Sequence, residues 1–257
     1  MSKFSDRVKE LTQGAPRPMG FAPAPPRPAP LPLILFARAD AGDMHAITEA
    51  AHEGAEGVLV EVGPDTTDAA LEAVHEAVGR VMWGGSVAMG GRPEVERLER
   101  AGCDLALLRN AGLQADALAA GVDKLLEVAE TWPDALLRAV DSLPIAGVVY
   151  RVNSVEHLTI QQLIELQRVV LLVRKPLIAS LTPSIPPESV GVLRDAGVAG
   201  IMVAPSNVKK FRAALRALPP AKKPKERMDP LIPAVPAAHH DHSDDEEGRA
   251  NRAAPLG

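Results

Sequence analysis

The chain has 257 residues, of which 46% are hydrophobic, and this size and composition suit a single domain with a large core. The net charge is about −5 and aromatic residues make up 3%, so the chain lacks the positive charge and the stacking side chains that nucleic-acid binding requires. No stretch approaches the roughly 20 apolar residues of a membrane span, and the N-terminal residues lack the apolar core of a signal peptide. We therefore expect a cytoplasmic protein that binds neither nucleic acid nor membranes.

A short sequence pattern recurs along the chain. A helical pattern ends in a small residue with Gly or Ala, and a run of Val, Leu, Ile or Met follows at once, at 53–62, 100–109, 143–152 and 195–204. Continuous apolar runs are typical of strands that are buried on both faces of a parallel sheet. The recurring pattern predicts an α/β protein whose strands are covered by helices.

The predicted elements begin with an amphipathic helix over 4–11, followed by a proline-rich segment that is expected to form an extended strap, so that residues 1–30 precede the main domain. Eight strands are predicted at 32–39, 57–62, 80–86, 103–108, 124–129, 145–150, 176–181 and 200–204. Eight helices are predicted at 43–54, 67–78, 93–101, 114–120, 133–142, 159–173, 187–195 and 207–218. The segment 124–129 also fits one long helix, and we favour the strand because the count of eight then closes.

Eight successive βα units without a composition break predict a (β/α)8 TIM barrel over residues 31–218, in preference to an open doubly wound sheet. Residues 219–257 combine prolines, a basic cluster and an acidic run, and are predicted to be a disordered tail.

In a barrel the residues that follow each strand form the active site. Glu61 is the candidate general acid or base, and Arg109 and Arg151 are the candidate catalytic arginines. The predicted ligand-binding residues are Arg38, Ser86, Asn110, Asn153, Ser180, Thr182, Ser206 and Asn207. Converging arginines require either carboxylate partners or an anionic ligand, because an unpaired guanidinium is costly to desolvate.

Both interpretations stay open at this point. In the first, Arg38, Arg109 and Arg151 form a rim network with carboxylates; the partners are Glu61, Glu127 and Asp40. In the second, the arginines hold a carboxylate or phosphate.

Several residue types are missing from the predicted strand ends. No lysine is found there, which disfavours a Schiff-base aldolase, and the absence of paired histidines predicts no metal site. The tail sequence HHDH (His239 to His242) is interpreted as incidental composition. The single cysteine, Cys103, is expected to be a small core residue.

The stretch PLIASLTPSIPPESVGVLRDAGVAGIMVAPSNV (176–208) resembles the last two units of the phosphate-binding (β/α)8 barrels. That superfamily includes thiamine phosphate synthase, indole-glycerol phosphate synthase and the nitronate monooxygenases. The resemblance implies a phosphate, or the phosphate of FMN, held by two loops and a helix N-terminus near Ser180, Thr182, Ser184, Ser206 and Asn207. The chain has Thr182-Pro183 and Ala204-Pro205 where relatives usually carry glycines, and this difference disfavours FMN.

These observations favour an enzyme of lyase or isomerase type that acts on a small anionic metabolite. Two alternatives are a non-catalytic barrel that serves as an assembly or partner-binding scaffold, and an FMN-dependent oxidoreductase. The sequence leaves the substrate and a homo-oligomeric state open.

Overall fold

The computed structural model describes residues 2–13, 30–153 and 156–219. In it, eight parallel strands pair in sequence order and the last pairs with the first, which closes a barrel and excludes the open sheet. The strands are β1 (Ile34–Asp40), β2 (Gly57–Glu61), β3 (Met82–Val87), β4 (Leu105–Leu108), β5 (Asp123–Val128), β6 (Gly147–Val152), β7 (Leu177–Leu181) and β8 (Gly200–Val203). Strand β5 pairs with both β4 and β6, so the long-helix alternative for this segment is wrong.

One helix precedes the barrel and helices on its outside connect the strands. The helices are α1 (Lys3–Gln13), α2 (Met44–Glu53), α3 (Asp68–Val78), α4 (Arg92–Arg100), α5 (Asp134–Ala139), α6 (Ile160–Leu172), α7 (Val190–Asp195) and α8 (Val208–Ala217). The helix predicted between β4 and β5 is instead a single 3₁₀ segment, Ala115–Ala119, which is too short for a ladder of α-helical hydrogen bonds. Asp43 and Thr159 cap α2 and α6 with side-chain hydrogen bonds to backbone N–H groups, which fixes where these helices begin.

The core has two layers, because side chains alternate along each strand. One set points outward and packs under the helices. The other set fills the barrel interior, and it consists of Ile34, Phe36, Leu59, Met82, Leu105, Leu107, Leu125, Val149, Ile178 and Met202 together with Phe4 of α1. The barrel is therefore a packed core and not a pore.

Helix α1 closes the N-terminal end of the barrel. Phe4 is fully buried, with its ring centroid 6.2 Å from that of Phe36. Arg7 of α1 forms an ion pair with Glu56, which precedes β2, at 3.1 Å, and Ser5 Oγ donates to Asp123 Oδ2, at the start of β5, at 2.8 Å. With this end covered, the C-terminal ends of the strands form the other, open face of the barrel.

The proline-rich strap (14–29) and the tail with its HHDH sequence (220–257) lie outside the described residues, so both interpretations stay predictions. Within the described ranges, no helix has the length and apolar character needed to cross a membrane. The same ranges contain no group of three or more His, Cys, Asp or Glu side chains arranged to hold a metal ion.

Candidate active site

The polar residues at the mouth form the uppermost layer of the barrel interior. Leu59, Leu125 and Val149 belong to the interior cluster, and the residue two positions after each one is charged. Because residues i and i+2 of a strand share a face, these side chains continue the interior column and converge at the C-terminal end. The layer is made up of Arg38, Glu61, Ser86, Arg109, Glu127, Arg151 and Ser180.

Glu61 is held by three donors. Arg38 Nε donates to Oε1, while Arg109 Nη1 donates to Oε2 at 2.7 Å and Ser86 Oγ donates to the same oxygen at 3.2 Å. Ser86 Oγ also accepts a hydrogen bond from the backbone N–H of Val62 at 3.2 Å. The structure therefore brings four predicted site residues into one network, and both oxygens of Glu61 are engaged.

Glu127 has a different environment. Its Oε1 accepts a hydrogen bond from Arg151 Nη2 at 3.0 Å, but its Oε2 lies 3.8 Å from Arg109 Nε, which is too far for a hydrogen bond. Glu127 Oε2 and Arg151 Nε are buried atoms without a hydrogen-bond partner among the described residues. The Glu127 side chain is 15% exposed, so a mostly buried carboxylate retains one free oxygen at the mouth.

Together these residues form a row of alternating charges, Arg38, Glu61, Arg109, Glu127 and Arg151. The rim network expected from the sequence is thus present for the two glutamates. It does not include Asp40, whose Oδ1 accepts a hydrogen bond from Gly42 N at 2.8 Å and so stabilises the turn after β1. Three guanidinium groups face two carboxylates, which leaves one positive charge in the row.

A cavity of about 310 Å³ opens between the ends of β1, β6, β7 and β8. Its described lining is Arg38, Arg151, Asn153, Ser180, Leu181, Thr182, Pro183, Met202, Val203 and Ala204, which includes two cations and no carboxylate. Ser180 is 6% exposed, and its hydroxyl makes no hydrogen bond within the described part of the chain. Five of the predicted site residues therefore line one cavity.

Of the remaining predicted residues, the two asparagines hold loops together, and Ser206 does not. Asn110 Nδ2 donates to Ala88 O at 2.9 Å, and Asn110 Oδ1 accepts from Gly112 N at 2.8 Å. Asn110 is one residue after Arg109, so the strand alternation turns it away from the interior column. Ser206 is exposed, and Asn207 Nδ2 donates to Pro183 O at 3.3 Å, which links the loops after β7 and β8.

These two loops differ from a phosphate cradle. The amides of Ile185 and Asn207 donate to carbonyls of their own loops, Thr182 O at 3.2 Å and Ala204 O at 2.9 Å. Pro183 and Pro205 have no N–H to donate. The residues present therefore do not fit the phosphate group of FMN, which needs several backbone N–H groups that point at one anion.

Lys124 lies far from the mouth although it belongs to β5. Its Nζ is buried and donates to the carbonyls of Ala120 at 2.5 Å and Val122 at 2.9 Å, and burial lowers the pKa of this amine. It is the second residue of β5, whereas Glu127 is the last but one, so Lys124 stabilises the turn before β5 and does not reach the cavity.

No family model and no curated protein sequence matches the chain. Solved structures match in fold. A tryptophan synthase α-subunit mutant from Pyrococcus furiosus has a TM-score of 0.57 at 16% identity, covering 73% of this chain and 94% of that one. A structure described as native KDPGal has a TM-score of 0.56 at 14% identity, with 70% and 94% covered.

The homocysteine methyltransferase of Escherichia coli has a TM-score of 0.53 at 17% identity, covering 71% of this chain and 95% of its own. Identities this low show the fold alone. The described residues form a closed (β/α)8 barrel, the fold of these structures.

Proposed function

We propose that the protein is an enzyme of lyase or isomerase type that acts on a small anionic metabolite, a carboxylate or a phosphate ester, at the C-terminal mouth of the barrel. The observation that carries this proposal is the cavity lined by Arg38 and Arg151 without a carboxylate among its described residues. A concave site with a surplus of positive charge favours an anion.

Arg38, Arg151 and Ser180 of this cavity each have hydrogen-bond donors that are not used by other described residues. Within the described residues Arg38 donates to protein only through Nε, and Arg151 only through Nη2. The remaining guanidinium N–H groups and the Ser180 hydroxyl are therefore free to donate to an anion, and a guanidinium binds carboxylate or phosphate with two parallel hydrogen bonds. Met202 and Val203 add an apolar wall against which the carbon skeleton of a metabolite would pack.

We assign the proton transfer to Glu127 and a positioning role to Glu61, which changes the role that the sequence predicted for Glu61. Three hydrogen bonds hold Glu61, so its carboxylate fixes Arg38 and Arg109 in place. Glu127 Oε2 has no such bond, but it is buried and Glu127 does not line the cavity, so proton transfer requires that a bound anion first draw Arg151 away and expose this oxygen.

The scaffold alternative has one observation in its favour. Every arginine of the row has a carboxylate partner, so the row is stable without a ligand. The two functions differ in whether an added anion binds at the mouth and in whether a proton then moves.

Binding is tested by thermal shift and calorimetry with inorganic phosphate, glycerol 3-phosphate and citrate as probes. We expect saturable stabilisation of the wild-type protein by at least one of them. Loss of one charge-assisted contact is worth about 1.5–3 kcal/mol, so Arg151→Met should weaken binding by about 10- to 150-fold. The control Arg80→Met replaces an exposed arginine that has no ion-pair partner in the described residues, and it should leave the affinity unchanged. Absence of binding by all probes would support the scaffold.

Proton transfer is tested by NMR in D₂O with the carboxylate probe, through exchange of the hydrogens next to its carboxyl groups. We expect exchange with the wild-type protein, its loss in Glu127→Gln, and little change in the affinity of that variant. Exchange that persists in Glu127→Gln would remove Glu127 from the mechanism. Binding without any exchange in the wild-type protein would leave an anion-binding barrel without the proposed chemistry.

A further inference from the structure

Exposed apolar side chains are concentrated on one flank of the barrel. Among the described residues six large hydrophobic side chains are exposed, and five of them lie on the consecutive helices α5, α6 and α7. These five are Leu136, Ile160, Ile164, Leu171 and Val192. The sixth, Met89, lies in the loop between β3 and α4. Single exposed hydrophobic residues are normal, but a cluster marks an interaction surface.

The exposed positions of α6 carry no charge, and the two charged residues of this helix, Glu165 and Arg168, are half-buried and form an ion pair with each other. Ile160, Ile164 and Leu171 are 78%, 58% and 68% exposed, and their spacing of four and seven residues places them in one stripe. The other exposed positions of this helix are Gln161 and Gln167. By contrast, the exposed positions of α8 include two lysines and an arginine. The exposed positions of α6 are thus apolar or uncharged, unlike those of α8.

Opposite charges flank this stripe. Glu156, before α6, and Arg174, after it, are exposed, and neither side chain has an ion-pair partner among the described residues. If two copies of α6 pack antiparallel about a two-fold axis, Ile160 of one copy lies opposite Leu171 of the other. The same symmetry brings each Glu156 close to Arg174 of the second copy, so the surface is complementary to itself.

We propose that the chain forms a two-fold symmetric homodimer in which the α6 stripes pack antiparallel, with Leu136 and Val192 at the margins of the interface. The apolar stripe provides the buried centre and the two Glu156–Arg174 pairs set the direction of packing. The inference rests on the outer surface and does not depend on anion binding at the mouth.

Sedimentation velocity and light scattering on the full chain test the proposal. The wild-type protein should have twice the chain mass at micromolar concentrations, and Ile164→Lys should have the mass of one chain, because two lysines would meet near the axis. Met89→Lys is the matched control, since it places the same charge at an exposed apolar position off the flank, and it should remain dimeric. Leu171→Lys provides a second variant of the stripe, and circular dichroism checks that each variant is folded.

Charge reversal tests the antiparallel arrangement separately. Glu156→Arg or Arg174→Glu alone should raise the dimer dissociation constant several-fold at low salt, and the double variant should return it to within about twofold of the wild-type value. A monomeric wild-type chain, or a dimer that survives both lysine variants, would overturn the proposal. A double variant as weak as the two single variants would overturn the two-fold antiparallel packing.

Discussion

Replacement of Phe4 by alanine tests whether α1 closes the barrel. The ring is fully buried within the interior cluster, against Phe36, so alanine would leave a cavity at the N-terminal end of the core. Truncation of a buried phenylalanine typically costs about 3–5 kcal/mol of unfolding free energy, and the upper limit is set by the free energy with which α1 docks. For a chain of this size that loss lowers the melting temperature by roughly 6–20 °C.

Urea denaturation followed by the fluorescence of the buried Trp83 measures the effect. Phe4→Leu conserves most of the volume and should cost less than about 1.5 kcal/mol. Lys9→Ala, at an exposed position of the same helix, should change the unfolding free energy by less than about 0.5 kcal/mol. A loss below about 1 kcal/mol in Phe4→Ala would refute the conclusion that this ring belongs to the barrel core.

Two further predictions concern titratable groups away from the mouth. Burial, with smaller contributions from Asp104 and Glu99, raises the pKa of the Cys103 thiol to about 12, so thiol reagents at pH 8 should modify it only as fast as the protein opens, and labelling should speed up in denaturant. Burial also raises the pKa of Glu56 above its ordinary value of 4.5, while Arg7 opposes the rise. The folded state therefore binds this proton more tightly than the unfolded state, and Glu56 costs stability as the pH rises through its folded pKa. Arg7→Met should steepen that loss in unfolding experiments between pH 4 and pH 7, and identical slopes in the two proteins would contradict it.

Much of the fold follows from the sequence because burial on both faces leaves a strong signal. All eight predicted strands are present, and each predicted boundary lies within two residues of the observed one. The segment 114–120 was the main error in helix type. The alanines of this segment have a high helix propensity. The connection between β4 and β5 nevertheless contains only one 3₁₀ segment, Ala115–Ala119, because a helix this short gains little from propensity alone.

The candidate site was only partly predictable for a different reason. Selecting the polar residues that follow each apolar run identifies Arg38, Glu61, Arg109 and Arg151. This selection ignores the alternation of side chains along a strand. It therefore does not distinguish Arg109, which continues the interior column, from Asn110, which does not. Counting in steps of two from the interior residue Leu125 identifies Glu127 as a member of the layer, and this was the available signal. Which oxygen stays free depends on side-chain packing, and no pattern in the sequence contains that information.

The alternating row also constrains how this mouth can change during evolution. Arg109 contacts both glutamates, so its loss would leave two mostly buried acids short of a counter-ion. A lone substitution in the row is therefore more harmful than a matched pair on adjacent strands. We expect substitutions here to be strongly epistatic. A substitution that adapts the mouth to a ligand of different charge should be tolerated only after a compensating change in the neighbouring strand.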